Sequence, residues 1–209
     1  MRRWRASGQS ILENQGRSAD GMEAPPFPIA AADIGATEPK HAIDAFLQNR
    51  PSQRWVLLGE HVVQSHLQLW TAWIQATRNE MRSSMVARSI DAEFLRYLAG
   101  THHISEAFAR AGVQEGQTSV LAVELPLAEG VANDLGYLQP KALPVPGFEE
   151  RFATVANELG WTVKAYEAHS SIEGKNKLGI DLEGWPDVRL DESFIAHILM
   201  ADDQSSAHR

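Results

Sequence analysis

His102, His103 and Glu106 are the residues whose types and spacing come nearest to chemistry in this chain. On a helix His102 and Glu106 lie four apart on one face, the spacing at which an imidazole and a carboxylate can share a zinc ion. Zinc needs three or four ligands and no others stand beside them, so the simpler reading is a polar helix start whose histidines face solvent or a partner. No HExxH, GxSxG or GxxxxGK[ST] pattern occurs. The adjacent pairs Glu149-Glu150 and Asp202-Asp203 point apart on a helix and read as solvated charge rather than an acid/base couple. With no cysteine, thiol nucleophiles, thiolate metal sites and disulfides are excluded. No catalytic residue, metal or cofactor is expected, and binding is the better reading.

Those histidines stand between two short helices whose start and stop signals are plain. Ser89 supplies an N-cap for a helix with Ile90, Phe94, Tyr97 and Leu98 on one face, and Gly100 ends it in the left-handed conformation. Thr101 caps a second helix carrying the stripe Ile104, Ala107, Phe108 and Ala111, which Gly112 ends. Ser119 to Leu125 then reads as a strand.

Around this unit, FPIAAADI from Phe27 reads as a first strand, and Thr37-Glu38-Pro39 opens a helix through Leu47. Trp55 to Leu58 is a second strand. From His61 apolar positions recur through Trp70, Trp73 and Thr77 at helical spacing and give the longest helix. The run at 126–147 is rich in turn formers and is expected to be a loop or insertion. Phe148 to Leu159 reads as a helix, Trp161 to Tyr166 as a strand, and the stretch from Ser170 to Asp187 as loop. Asp191 or Ser193 caps a last helix, Phe194 to Ala201, before a frayed end at 202–209.

The fold class expected is α+β, a small mixed or antiparallel sheet packed with several helices in a single domain at 26–201. Its 209 residues, 44% of them hydrophobic, suffice for one core. Residues 1–25 read as a disordered tail, with Arg2, Arg3 and Arg5 around Trp4 offering charge to RNA or a membrane headgroup. No apolar run approaches the ~18 residues of a membrane span, so a soluble, cytoplasmic protein with no membrane partner is expected. A formal charge of -8 argues against a general nucleic-acid coat, because phosphate binding depends on clustered Lys and Arg. Any RNA contact must be local.

The segment HVVQSHLQLWTAWIQA, the stretch IDAEFLRYLAGTHHISEAFARAGV and the strand after it resemble the smallest, kinase-binding subunit of the archaeal and eukaryotic KEOPS complex, here of archaeal type. The resemblance spans roughly residues 54–125 and is carried by order: His66, Leu67, Ala72 and Ala76, then Glu93, Leu95, Tyr97, Gly100, Thr101, Ile104 and Ala107. His102 and His103 stand where the family usually has Arg and Gln. The resemblance implies a compact α/β domain and a non-catalytic subunit that binds and stimulates the small atypical kinase, which works as an ATPase. It also implies a grip on the tRNA 3′ CCA end, delivering the RNA for threonylcarbamoylation of adenosine 37.

Such an RNA end is held by stacking on aromatic, His or Arg planes and by a few phosphate contacts. Arg78, Arg82 and Arg88 form the natural basic patch for it, and His102 and His103 flank a helix N-terminus that can face a phosphate; the other account of the two histidines is that they cap the helix and face solvent. The last helix, with Phe194, Ile198 and Leu199, is either the kinase dock or part of the core. A homodimeric scaffold without an RNA role and a small His/Glu zinc hydrolase remain as alternatives.

Overall fold

Three short strands of almost unbroken apolar sequence explain how the domain is layered. A computed structural model describes residues 24–132, 136–183, 185–186 and 189–203. Strands β1 (Ile29–Asp33), β2 (Trp55–Gly59), β3 (Ser119–Glu124) and β6 (Thr162–Lys164) form one antiparallel sheet in the order β2-β3-β1-β6. Side chains alternate across a strand, so runs such as AAA and WVLLG are apolar throughout only where both faces are covered.

Both faces are covered here. On one face Ala31, Val56, Leu58, Leu121 and Val123 pack under helices α2 (His66–Met81), α3 (Ile90–Leu98), α4 (Ile104–Ala111) and α7 (Leu190–Asp203). On the other, Ala30, Ala32, Trp55, Leu57, Val120 and Ala122 meet α1 (Pro39–Asn49) and α5 (Phe148–Glu158) through Phe46, Phe148 and Phe152. The α+β, single-domain expectation holds. Among the described residues, no helix is long and apolar enough to cross a membrane.

Four local readings are corrected. The longest helix begins at His66 rather than His61, because Ser65 caps it and Gln68 ties down the chain before the cap: Gln68 N donates to Ser65 Oγ at 3.1 Å, and Gln64 N donates to Gln68 Oε1 at 2.9 Å. The run expected as a loop or insertion at 126–147 holds a hairpin of β4 (Ala128–Ala132) and β5 (Leu138–Ala142). Gly130 faces Pro140 in that pair, two residues that weaken a strand signal. The hairpin rests on α2, where Arg78 Nε donates to the Leu138 carbonyl at 2.9 Å. The stretch read as loop after Ser170 contains α6 (Ile172–Leu178), capped by Ser171 Oγ and ended by Gly179 in the left-handed region. Finally, α7 starts at Leu190, so Asp191 and Ser193 lie inside it, and it runs on to Asp203, so Asp202 and Asp203 are helical rather than frayed. The expected arginine tail at Arg2, Arg3 and Arg5 and the rest of the C-terminal end lie outside the described residues.

Gly100 does what its position after α3 requires. Its φ is +57°, and a Cβ there would come within 2.5 Å of His197 Nε2 and 2.7 Å of the His197 carbonyl oxygen. Backbone strain and overpacking therefore act together in Gly100→Ala, which is expected to cost about 2 kcal/mol and to lower the urea midpoint without changing m.

Candidate functional site

The arginine segment is a tight return from α2 to α3. Ser83 has a positive φ of 54°, Arg82 N donates to Arg78 O at 3.1 Å, and Ser84 N donates to Asn79 O at 2.9 Å. Arg82 and Arg88 are exposed. Arg78 is half-buried, and part of its guanidinium is committed to the hairpin carbonyl of Leu138. Of the three arginines, Arg82 and Arg88 are the two presented to solvent.

Ser89 is the N-cap of α3, but its side chain accepts no capping bond; Asp91 Oδ1 accepts from Ala92 N at 2.9 Å instead. A deeper residue organises the approach to this helix. Glu93, fully buried, accepts from Val86 N at 3.1 Å and Ala87 N at 2.9 Å through Oε2. Its Oε1 accepts from Asn79 Nδ2 and Arg96 Nη2, both at 2.9 Å. Arg96 is also fully buried and donates to Ala201 O at 2.9 Å and Asp202 Oδ1 at 2.8 Å. Burial opposes the charge on Arg96, but Glu93 and Asp202 outweigh it and hold the guanidinium protonated. Tyr97 Oη donates to Asp202 Oδ2 at 2.8 Å, and burial followed by that bond raises its pKa.

The histidines lie elsewhere. His103 is the exposed N-cap of α4, and His102 is half-buried, with its Nδ1 enclosed and unpartnered. Their ring centroids are 6.2 Å apart, at 80°. Thr101 is not the N-cap: its Oγ1 accepts from His103 N at 3.2 Å and donates to Glu106 Oε2 at 2.5 Å. Arg110 Nη2 holds the other Glu106 oxygen at 2.5 Å. The positive end of α4 is thus already faced by its own carboxylate, and Glu106 is engaged by Thr101 and Arg110 rather than shared with a histidine. Among the described residues, no group of three or more His, Cys, Asp or Glu is placed to hold a metal ion.

The nine residues of α3, at 1.5 Å each, put about 13 Å of helix between the arginine segment and the histidine turn. Arg82 and Arg88 therefore stand at one end of α3, and His102 and His103 at the other. The structure does not bring them into one contact site.

The last helix is also resolved into two faces. Of the two readings left open for this stripe, Phe194 and Ile198 take the core one, buried under the sheet; Leu199, 46% exposed, and Met200, 51% exposed, face solvent. Phe108, expected on a buried stripe with Ala107 and Ala111, is 51% exposed and adds an aromatic surface to α4. The Glu93–Arg96 pair was missed: Glu93 flanks the stripe of Ile90, Phe94 and Tyr97, but Arg96 falls well round the helix from it, on a side that an amphipathic helix turns to solvent and that is buried here as well. His61 is structural. Its ring nitrogens lie 2.8 Å from Arg110 O and 2.9 Å from Gln117 Nε2, and burial lowers its pKa.

Residues 35–136 match the family model described as kinase binding protein CGI-121. A similar protein, the "EKC/KEOPS complex subunit CGI121" of Coccidioides immitis (strain RS), is 25% identical over 108 residues, covering 49% of this chain and 52% of that protein. The chain thus spans about half the length of the curated relative it matches. The matched span includes α2, the arginine segment, α3 and α4, and the family resemblance read from residues 54–125 is borne out.

Proposed function

We propose, on the premise that residues 35–136 carry the CGI-121 kinase-binding pattern, that this chain is a non-catalytic accessory subunit of a KEOPS-type assembly. In this reading it docks on and stimulates the small atypical kinase/ATPase, and it brings tRNA, gripped at the 3′ CCA end, to the machinery that modifies adenosine 37. The observation that carries the RNA part is the placement of Arg82 and Arg88. Both are exposed on a segment whose backbone is fixed from beneath, so a chain whose net charge is -8 holds two cations in the open on one short loop. His102 and His103, at the far end of α3, form a second contact, in which an exposed imidazole can stack on a base. For the kinase, Leu199 is kept as a docking residue and joined by Met200, both exposed on α7, while Phe194 and Ile198 are buried.

The test is binding of the purified chain to full-length tRNA and to the same RNA lacking CCA, across a salt series. The intact RNA is expected to bind more tightly, and Arg82→Ala/Arg88→Ala to reduce the slope of log K against log salt by about 1.4, two single-strand phosphate contacts. Equal or absent binding of the two RNAs would remove the RNA role and leave kinase docking, or a homodimeric scaffold, as the function to examine.

A further inference from the structure

Residues 82–88 form neither helix nor strand, yet their path is pinned at both ends. At the start, Ser84 N donates to Asn79 O; at the end, Val86 N and Ala87 N converge on one oxygen of Glu93. The other oxygen is fixed by Asn79 and Arg96, and Arg96 is itself fastened to Ala201 and Asp202 in the last turn of α7. A fully enclosed carboxylate that accepts two loop amides acts as a template for that loop. Without it the amides have no acceptor, and the segment is free to fray.

We infer that Glu93 is a positioning residue for nucleic-acid binding: it sets the path of residues 82–88 so that Arg82 and Arg88 meet adjacent phosphates together, and Arg96 ties that path to α7. The inference rests on the RNA-carrier reading above and names the device behind it. Arginines on a frayed segment still release counterions when they bind, but ordering them costs affinity. Loss of Glu93 should therefore weaken binding at an unchanged salt slope, whereas loss of the arginines lowers the slope. A purely electrostatic role predicts the opposite sign, since Glu93→Gln removes a negative charge and would tighten the RNA complex.

The experiment uses the full chain and a tRNA transcript, with affinities measured over a salt series for Glu93→Gln, Arg82→Ala/Arg88→Ala and the triple variant, alongside amide exchange at Val86 and Ala87. Glu93→Asp is the second variant: it keeps a charge beside Arg96 while drawing the carboxylate back from the amides by one methylene. In both Glu93 variants the two amides are expected to exchange roughly tenfold faster or more, with the amides of β3 unchanged. Affinity should fall about five- to tenfold with no change in slope, and this loss should vanish in the arginine-free background, because residues acting through one another are not additive. Unchanged protection in both variants, unchanged or tighter binding, or an equal loss without the arginines would each overturn the inference. If the arginine variant alone leaves binding untouched, the carrier reading falls and takes the RNA role of Glu93 with it. That outcome is distinguishable, because it appears in a variant that leaves Glu93 intact.

Discussion

Arg96→Met is expected to destabilise the domain by about 3–5 kcal/mol, the cost of leaving a buried charge without its partner. Arg96 and Glu93 have no exposed side-chain surface, and the guanidinium also serves the Ala201 carbonyl and Asp202. Methionine fills much of the volume but returns none of those bonds. On a total stability of about 5–15 kcal/mol such a loss is a large share, and it should lower Tm by about 10 °C for a chain of this size. A buried ion pair replaced on both sides by apolar residues is often neutral, but not here, because Glu93 is also the acceptor for Val86 and Ala87. The pairwise part is isolated by Glu93→Gln/Arg96→Met. Glutamine is neutral, and its one carboxamide oxygen, held by the guanidinium in the single variant, is released to the loop amides once Arg96 is gone, so adding it to Arg96→Met should cost less than Glu93→Gln alone in the wild-type background. Strictly additive urea-unfolding losses would mean the two residues do not act as the pair their 2.9 Å contact describes.

The sheet was legible because burial on both faces leaves a simple mark. AAA, WVLLG and VLAV are too short for helices and too apolar for one-sided strands, and each became a strand flanked by helices on both sides. The α3 to α4 turn was legible for a different reason: Gly100 ends α3 in the left-handed conformation, a local backbone requirement that neighbours do not override, while Gly112 closes α4 in an extended one. What was missed depends on distant partners. The β4–β5 hairpin has weak apolar alternation and is held partly by α2, through Arg78 and Met81, so nothing within its own sequence announced it. Helix α6 is tied down by Gln64, whose Oε1 accepts from Ser171 N across more than a hundred residues.

The candidate site divides along the same line. That Arg82, Arg88 and His103 are polar surface residues followed from composition, but their separation along α3 did not, because closeness in sequence does not fix which end of a helix a residue occupies. The stripe on α7 could not be assigned from its periodicity, since core and interface stripes look alike; packing put Phe194 and Ile198 inside and left Leu199 and Met200 outside.

That same helix carries a proton-dependent contact. His197 is buried against the α3–α4 turn, and its pKa is pushed down to about 4, chiefly by burial and then by the nearby Arg110 cation, while hydrogen bonds to the Ala99 and Leu98 backbone oppose the shift. Its Nε2 has no hydrogen-bond partner, so a proton added there would be enclosed and unpaired. The unfolded chain takes up that proton near the ordinary histidine pKa of about 6.5, and the folded chain only near 4. Above pH 6.5 the ring is neutral in both states and stability is unaffected. As pH falls from 6.5 to 4 the unfolded state binds more protons, and stability is lost at up to about 1.4 kcal/mol per pH unit, about 3 kcal/mol in all. Carboxylates titrate near the lower end of this window, so the difference between wild type and His197→Gln is the quantity to measure. Glutamine binds no proton, and its urea-unfolding free energy should fall less steeply than that of wild type between pH 6.5 and 4.5. Parallel profiles would mean that His197 is protonated in the folded protein, and that the turn at Gly100 opens far enough to admit water or an anion.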